Sequence, residues 1–175
     1  MLILANNIRS LPIVSMRDGQ VLAVISDLII ERKNLAIVAF WCNQDKKAVR
    51  LLMGRDVRCV AKDCVLVDSP EALSDPKDIV RFPGLLKASY NPLNKQVVTT
   101  SGQKLGKVDD YAIDLDAGRI QKLYTKPNTL KSWLGPSVII DRSQILDLTA
   151  FRIIVQDTLD YVSNAASLKA STMSS

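Results

Sequence analysis

The sequence predicts a mainly β protein: two tandem small barrels of six strands each, joined by a short helical linker and followed by a C-terminal helix. Three observations carry that expectation. First, Val14-Ser15-Met16-Arg17-Asp18-Gly19-Gln20-Val21-Leu22-Ala23 recurs as Val98-Thr99-Thr100-Ser101-Gly102-Gln103-Lys104-Leu105-Gly106, with one residue deleted before the glycine. Ser26-Asp27-Leu28-Ile29-Ile30-Glu31 then lies over Asp109-Asp110-Tyr111-Ala112-Ile113-Asp114, and Ala39-Phe40 over Leu123-Tyr124. Self-similarity at a steady offset is the mark of a duplicated unit. Second, the apolar runs are short, mixed in alternation and bounded by Gly-containing turns, as strands are. Third, six short strands per copy favour closure into a barrel, because closure removes edges that would pair with other chains.

In chain order, the first domain is expected over 8–70, a helical linker over 71–94, the second domain over 95–157, and a helix with a frayed tail over 158–175. The first copy opens on the Gly19 turn and closes with apolar runs at Val49–Met53, Val57–Ala61 and Cys64–Val67. In the linker, Asp75 before Pro76 reads as a helix cap with proline in the first turn. Pro83-Gly84 should break that helix, and Leu85-Leu86-Lys87 resumes a turn. The second copy places strands at Gln96–Thr100, Leu105–Leu115 and Arg119–Thr125, with Asp116-Ala117-Gly118 suited to the turn between the last two. Three short runs follow, Ser137–Ile140, Gln144–Leu148 and Arg152–Val155. Past Asp157, residues Leu159, Val162 and Ala166 share one helical face.

The segment Val97-Val98-Thr99-Thr100-Ser101-Gly102-Gln103-Lys104-Leu105-Gly106-Lys107-Val108-Asp109-Asp110, with Val138-Ile139-Ile140-Asp141-Arg142-Ser143-Gln144-Ile145 further on, resembles the PRC-barrel family over nearly all of 96–156. The first copy keeps Gly19 but has Ala23 where Gly106 stands. The resemblance implies two tandem PRC-type β-barrels. It also implies a binding role, since similar barrels occur in the cytoplasmic part of a photosynthetic reaction-centre subunit and in a ribosome maturation factor. The motif residues themselves are structural. Gly19 and Gly102 suit positive φ at a turn, Gly106 suits close backbone approach at a bend, and Asp110, shared with Asp27, suits capping of backbone amides.

Function classes narrow by composition. The 175 residues are 47% hydrophobic and 23% charged, within the range of globular domains. There is no histidine, the commonest general base and metal ligand. Gly102-Gln103-Lys104-Leu105-Gly106-Lys107-Val108 has one residue too few between its glycines for a phosphate loop and Val where Ser or Thr belongs. Asp114-Leu115-Asp116-Ala117-Gly118 misses the ligand spacing of a calcium loop. Cys59 and Cys64 lack a second pair for zinc. The expectation is a protein that is not an enzyme and needs no cofactor or metal. Cys42, Cys59 and Cys64 read as buried free thiols of a reducing compartment, and with no apolar run of membrane-spanning length the expected location is the cytoplasm.

Two binding readings remain. Lys122, Lys126, Lys131 and Trp133 interleave cations with an aromatic in a loop of the second copy, and Trp41 falls near Lys46, Lys47 and Arg50 in the first. An exposed Trp among cations can anchor a protein partner, while a Trp folded over the barrel end is a hydrophobic plug. Residues 81–175 carry 12 Lys+Arg against 8 Asp+Glu, and the stretch between Asp78 and Asp109 holds Arg81, Lys87, Lys95, Lys104 and Lys107 without an acid. That run supports an alternative role in RNA processing or ribosome maturation, with RNA or ribosomal proteins as partners. The first reading is an adaptor or assembly module for a protein partner.

Overall fold

The computed structural model describes residues 2–45, 48–80, 82–127 and 137–157. The chain divides into two compact units. One comprises residues up to Asn91 together with Ile113–Ile120; the other comprises Pro92–Ala112 and the described residues from Gln121 onward.

Strand β1 (Leu2–Leu4) and a single helical turn α1 (Ala5–Ile8) precede the first repeat. That repeat consists of β2 (Pro12–Ser15), β3 (Val21–Ile30), β4 (Ile37–Asp45), β5 (Ala48–Met53), β6 (Val57–Val60), β7 (Val65–Val67) and β8 (Leu73–Ser74). Their order in the sheet is β6-β7-β2-β3-β4-β5-β8. The second repeat consists of β9 (Gln96–Thr99), β10 (Lys104–Asp114), β11 (Arg119–Lys126), β12 (Ile139–Asp141), β13 (Ile145–Leu148) and β14 (Arg152–Val155), ordered β12-β11-β10-β9-β14-β13. Six strands therefore follow one order in both repeats. The ordered path has seven strands in the first sheet and six in the second, and each is curled like a barrel and not closed, which corrects the expected closed barrels. The reason is local. Short 3-10 turns at Gly54–Asp56 and Arg142–Gln144 swing the chain between β5 and β6 and between β12 and β13, so those neighbours in sequence are not ladder partners.

The registers match residue for residue. Ile13 pairs with Ala23 and Pro12 with Val24; Val97 pairs with Gly106 and Gln96 with Lys107. A bulge follows in each hairpin, at Leu22 opposite Ile13 and Val14 in one and at Leu105 between Lys104 and Gly106 in the other. Strand β7 pairs with β2 and β14 with β9 in parallel, Ile13 with Val65 and Val97 with Ile153. All four side chains are fully buried. Removing aliphatic groups of this size from water stabilises by roughly 1.5–3 kcal/mol each. Alternation follows the pleat: in β2 and β9 every second residue is buried, so Ser15 and Thr99 face inward with Ile13 and Val97.

The linker is less helical than the sequence suggests. Asp75 does cap a turn, its carboxylate accepting from the Lys77 N–H at 2.9 Å, but the turn is a three-residue 3-10 helix, Pro76–Asp78. Helix α2 runs Phe82–Ala88, with Pro83 and Gly84 inside its first turn and not as its breaker. Proline is tolerated there because a first-turn N–H has no intrahelical partner to lose. The expected helix over 158–175 lies outside the described residues. No helix among the described residues is long and apolar enough to cross a membrane.

Candidate protein-binding surface

The turn residues sit where their chemistry is needed. Gly19 and Gly102 have φ of 71° and 88° in the β2–β3 and β9–β10 turns. Gly106 has φ of 114°, and a Cβ there would lie 2.3 Å from the Lys126 carbonyl oxygen, so the position admits only glycine. Asp110 accepts from the Tyr111 N–H at 2.8 Å, and its counterpart Asp27 accepts from the Leu28 N–H at 2.9 Å. These carboxylates satisfy a backbone donor at the bend of each long strand. Asp27 also takes two hydrogen bonds from the Arg9 guanidinium, at 3.0 and 3.2 Å.

The lysines and tryptophans proposed for partner contact are only partly brought together. Leu123 and Thr125 point into the second sheet and are buried, which turns Lys122, Tyr124 and Lys126 outward along one face of β11. Lys122 stands opposite Asp141, and Tyr124 opposite Ile139. Lys126 is paired with Asp109 at 2.6 Å, an exposed ion pair of small energetic weight. Trp41 belongs to the other unit, where it packs half-buried against the core cluster of Ile29, Ala39 and Leu51. That placement fits a plug more than a free anchor. Lys131 and Trp133, like Lys46, Lys47 and Arg81, lie outside the described residues. Of the basic run, Lys104 and Lys107 share the outward face of β10, opposite Val98 and Gln96.

The cysteines differ from expectation. All three are free, but only Cys42 is buried; Cys59 is exposed and Cys64 is half-buried. Burial pushes the Cys42 thiol up to about 12, since the thiolate would be stranded away from water. Cys59 faces outward because Arg58 forms a bulge in β6, which shifts the pleat by one residue.

One surface feature escaped the sequence reading. The turn between β13 and β14 carries Phe151 at its tip, 86% exposed, with exposed Leu146 on the adjoining strand. The turn is rigid. The Thr149 hydroxyl oxygen accepts from the Phe151 and Arg152 N–H groups at 3.3 and 3.0 Å, and the hydroxyl donates to the Arg152 carbonyl at 2.8 Å. The Lys95 ammonium donates to the Ala150 carbonyl oxygen at 2.5 Å. With β13–β14 registered against β6–β7, the place of Phe151 is taken by Asp63 in the first repeat. A signal existed in the sequence, because an aromatic between two four-residue strands has no core position to occupy. The hydrogen bonds order the backbone that carries the side chain, so a partner would have only the Phe151 rotamer left to fix.

At the other end of β14, Asp157 ties the strand to the β9–β10 turn. Its carboxylate accepts from the Thr100 hydroxyl and from the Ser101 N–H, the latter at 3.0 Å. The Thr100 hydroxyl, then the Ser101 N–H, hold this carboxyl far below the ordinary carboxylate range. Asp141, which caps the 3-10 turn before β13, is lowered chiefly by the Ser143 N–H.

No curated protein matches the chain. A domain model matches a single stretch that takes in all of β9 to β14, with the Gly102 turn, the Gly106 bend and the Phe151 tip: residues 86–160 are a match to the PRC-barrel domain.

Proposed function

We propose that the chain is a non-catalytic tandem PRC-barrel protein that acts as an adaptor or assembly module, binding a protein partner without a cofactor. The domains are those read from the sequence, 8–70 and 95–157, joined by the linker 71–94, and the site of action is the cytoplasm. The observation that carries the reading is Phe151: an exposed aromatic on a hydrogen-bonded turn of the family-matched repeat, where solubility alone would favour a polar residue. Lys122, Tyr124 and Lys126 offer a second contact strip on the same unit.

The alternative, an RNA-associated factor, draws on the outward Lys104 and Lys107 of β10. One capture experiment separates the two. Wild-type chain and the variants Phe151→Ser and Lys104→Glu/Lys107→Glu are used as bait in lysate, with and without nuclease, and bound proteins are identified by mass spectrometry. A nuclease-resistant partner lost with Phe151→Ser is the expected result. Recovery of ribosomal proteins that vanishes with nuclease and with the double lysine variant would replace the adaptor reading by the RNA one.

A further inference from the structure

The outer face of the first sheet is apolar where the second is charged. Register places Cys59, Leu66, Val14 and Val21 in one row across β6, β7, β2 and β3, all on the side away from the core. Val24 lies one row along, opposite Pro12, and Met16 continues from β2. None of these side chains is fully buried, and Val21 and Met16 are 62% and 61% exposed. At the matching positions the second repeat has Asp147 for Cys59, Lys104 for Val21, Lys107 for Val24 and Thr100 for Met16. The second repeat keeps Val98 and Ile154 where the first has Val14 and Leu66, but the polar residues at the other four positions show that the fold does not require an apolar side chain there.

What fits this face is constrained by charge and by size. The row contains no Asp, Glu, Lys or Arg, and the two arginines that flank it are paired. Arg58 holds Asp68 through two nitrogens, its Nε at 2.8 Å, and Arg17 holds Glu71 at 3.2 Å. That leaves Lys62 of the β6–β7 turn at the rim, and a single exposed lysine gives acidic lipid headgroups or nucleic acid little attraction. Four strands about 4.8 Å apart and three outward positions about 7 Å apart span on the order of 200 Å². A stable pairing of two folded surfaces needs about 800 Å² from each partner, so a second copy of the chain is poorly served. A short segment is well served: one apolar stripe of an amphipathic helix covers such an area.

We propose that the outer face of β6-β7-β2-β3 in the first unit is a docking site for a short amphipathic segment of a partner protein, contacted through aliphatic side chains. This site is separate from the Phe151 turn, and its test does not depend on that turn.

The full chain is used to select from a random twelve-residue peptide library displayed on phage, and recovered peptides are measured against wild type and against Val21→Lys/Val24→Lys. That double variant installs the lysines the second repeat already carries at these positions, and a thermal melt within a few degrees of wild type verifies its fold. Phe151→Ser serves as the second control. The expected result is a family of peptides with aliphatic residues at helical spacing, bound at least tenfold more weakly by the double variant and equally well by Phe151→Ser. Failure to enrich any peptide, or enriched peptides that bind the double variant as tightly, overturns the proposal. Concentration-dependent dimerisation that disappears in the double variant would give the face to a second copy, and flotation with neutral phosphatidylcholine vesicles would give it to lipid; either overturns it as well.

Discussion

In the first repeat Ala23 pairs with Ile13, and in the second Gly106 pairs with Val97, the same step of the same ladder. Around Gly106 the backbone takes φ of 114° and presses on Lys126, whereas Ala23 keeps ordinary strand geometry and buries its methyl. The 3-10 turns diverge likewise. Gly54 makes its turn by packing against the Ile37 carbonyl, where a Cβ would come within 2.9 Å; Asp141 and Gln144 make theirs by a capping box, with the Asp141 N–H donating to the Gln144 side chain at 2.8 Å. Positive φ recurs at matching places with different residues, Ser10 with Asn94 and Leu35 with Gly118. The two units thus reach one strand order and register with different residues at the bends.

The sharpest way to break the comparison is to exchange the enforcers. Gly106→Ala is expected to destabilise the second unit by about 3–5 kcal/mol, because the methyl meets backbone and the φ is unfavourable. Ala23→Gly should cost only about 1 kcal/mol. Chemical denaturation of both variants, followed by Trp and Tyr fluorescence, reads the difference; equal losses would mean the two bends are the same after all. Next in size are the bend carboxylates. Asp110→Ala should cost about 1 kcal/mol for the lost amide partner, and Asp27→Ala somewhat more, since Arg9 is released too. Native-state hydrogen exchange at the Tyr111 and Leu28 amides localises each loss, and unchanged protection would disprove the capping role.

The smallest effect is on the acid limb. A carboxyl whose folded pKa is depressed stabilises fully above its unfolded value near 3.9 and loses that contribution as pH falls through the folded value. Asp157→Asn should therefore flatten the fall in stability below about pH 4, without moving the neutral-pH midpoint by more than the loss of one exposed contact. A wild-type acid limb unchanged by the substitution would show that the tie to Thr100 and Ser101 does not outlast solvent competition.

Much of this architecture was legible in the residues. The repeat offset, including its deletion in the turn before Gly102, agrees with the ladder partners through the first hairpin, because short-range turn chemistry and period-two alternation are local properties; the match of Phe40 to Tyr124 does not, since the pairs Phe40–Leu52 and Leu123–Ile140 set Phe40 over Leu123. Less legible was which face of a strand is outward when both faces are apolar. Cys64-Val65-Leu66-Val67 gives no clue that Val65 and Val67 face the core and Leu66 the solvent; only pairing with β2 decides it. The Arg58 bulge, which turns Cys59 outward, is equally a property of the ladder. Lys122 and Lys126, expected in a loop, stand on β11, and their neighbours Asp141 and Asp109 come from other strands. Phe151, a lone aromatic in a tight turn, stands outside any cation-aromatic interleaving of the kind that marks Lys126 to Trp133.

The parallel pairing of β2 with β7 has a consequence for synthesis on the ribosome. Val14 has its ladder partner Leu66 more than a turn-and-hairpin away in sequence, and Val98 likewise waits for Ile154. At about 5–20 residues per second, the first strand of each repeat stands with one side unpaired for seconds before its last strand emerges. During that interval β2 can pair only with β3, and the newly made edge is open to any neighbouring chain. A premature stop before β7 or β14 would therefore release a chain with the middle of its sheet exposed, which is the species a cell would most need to clear.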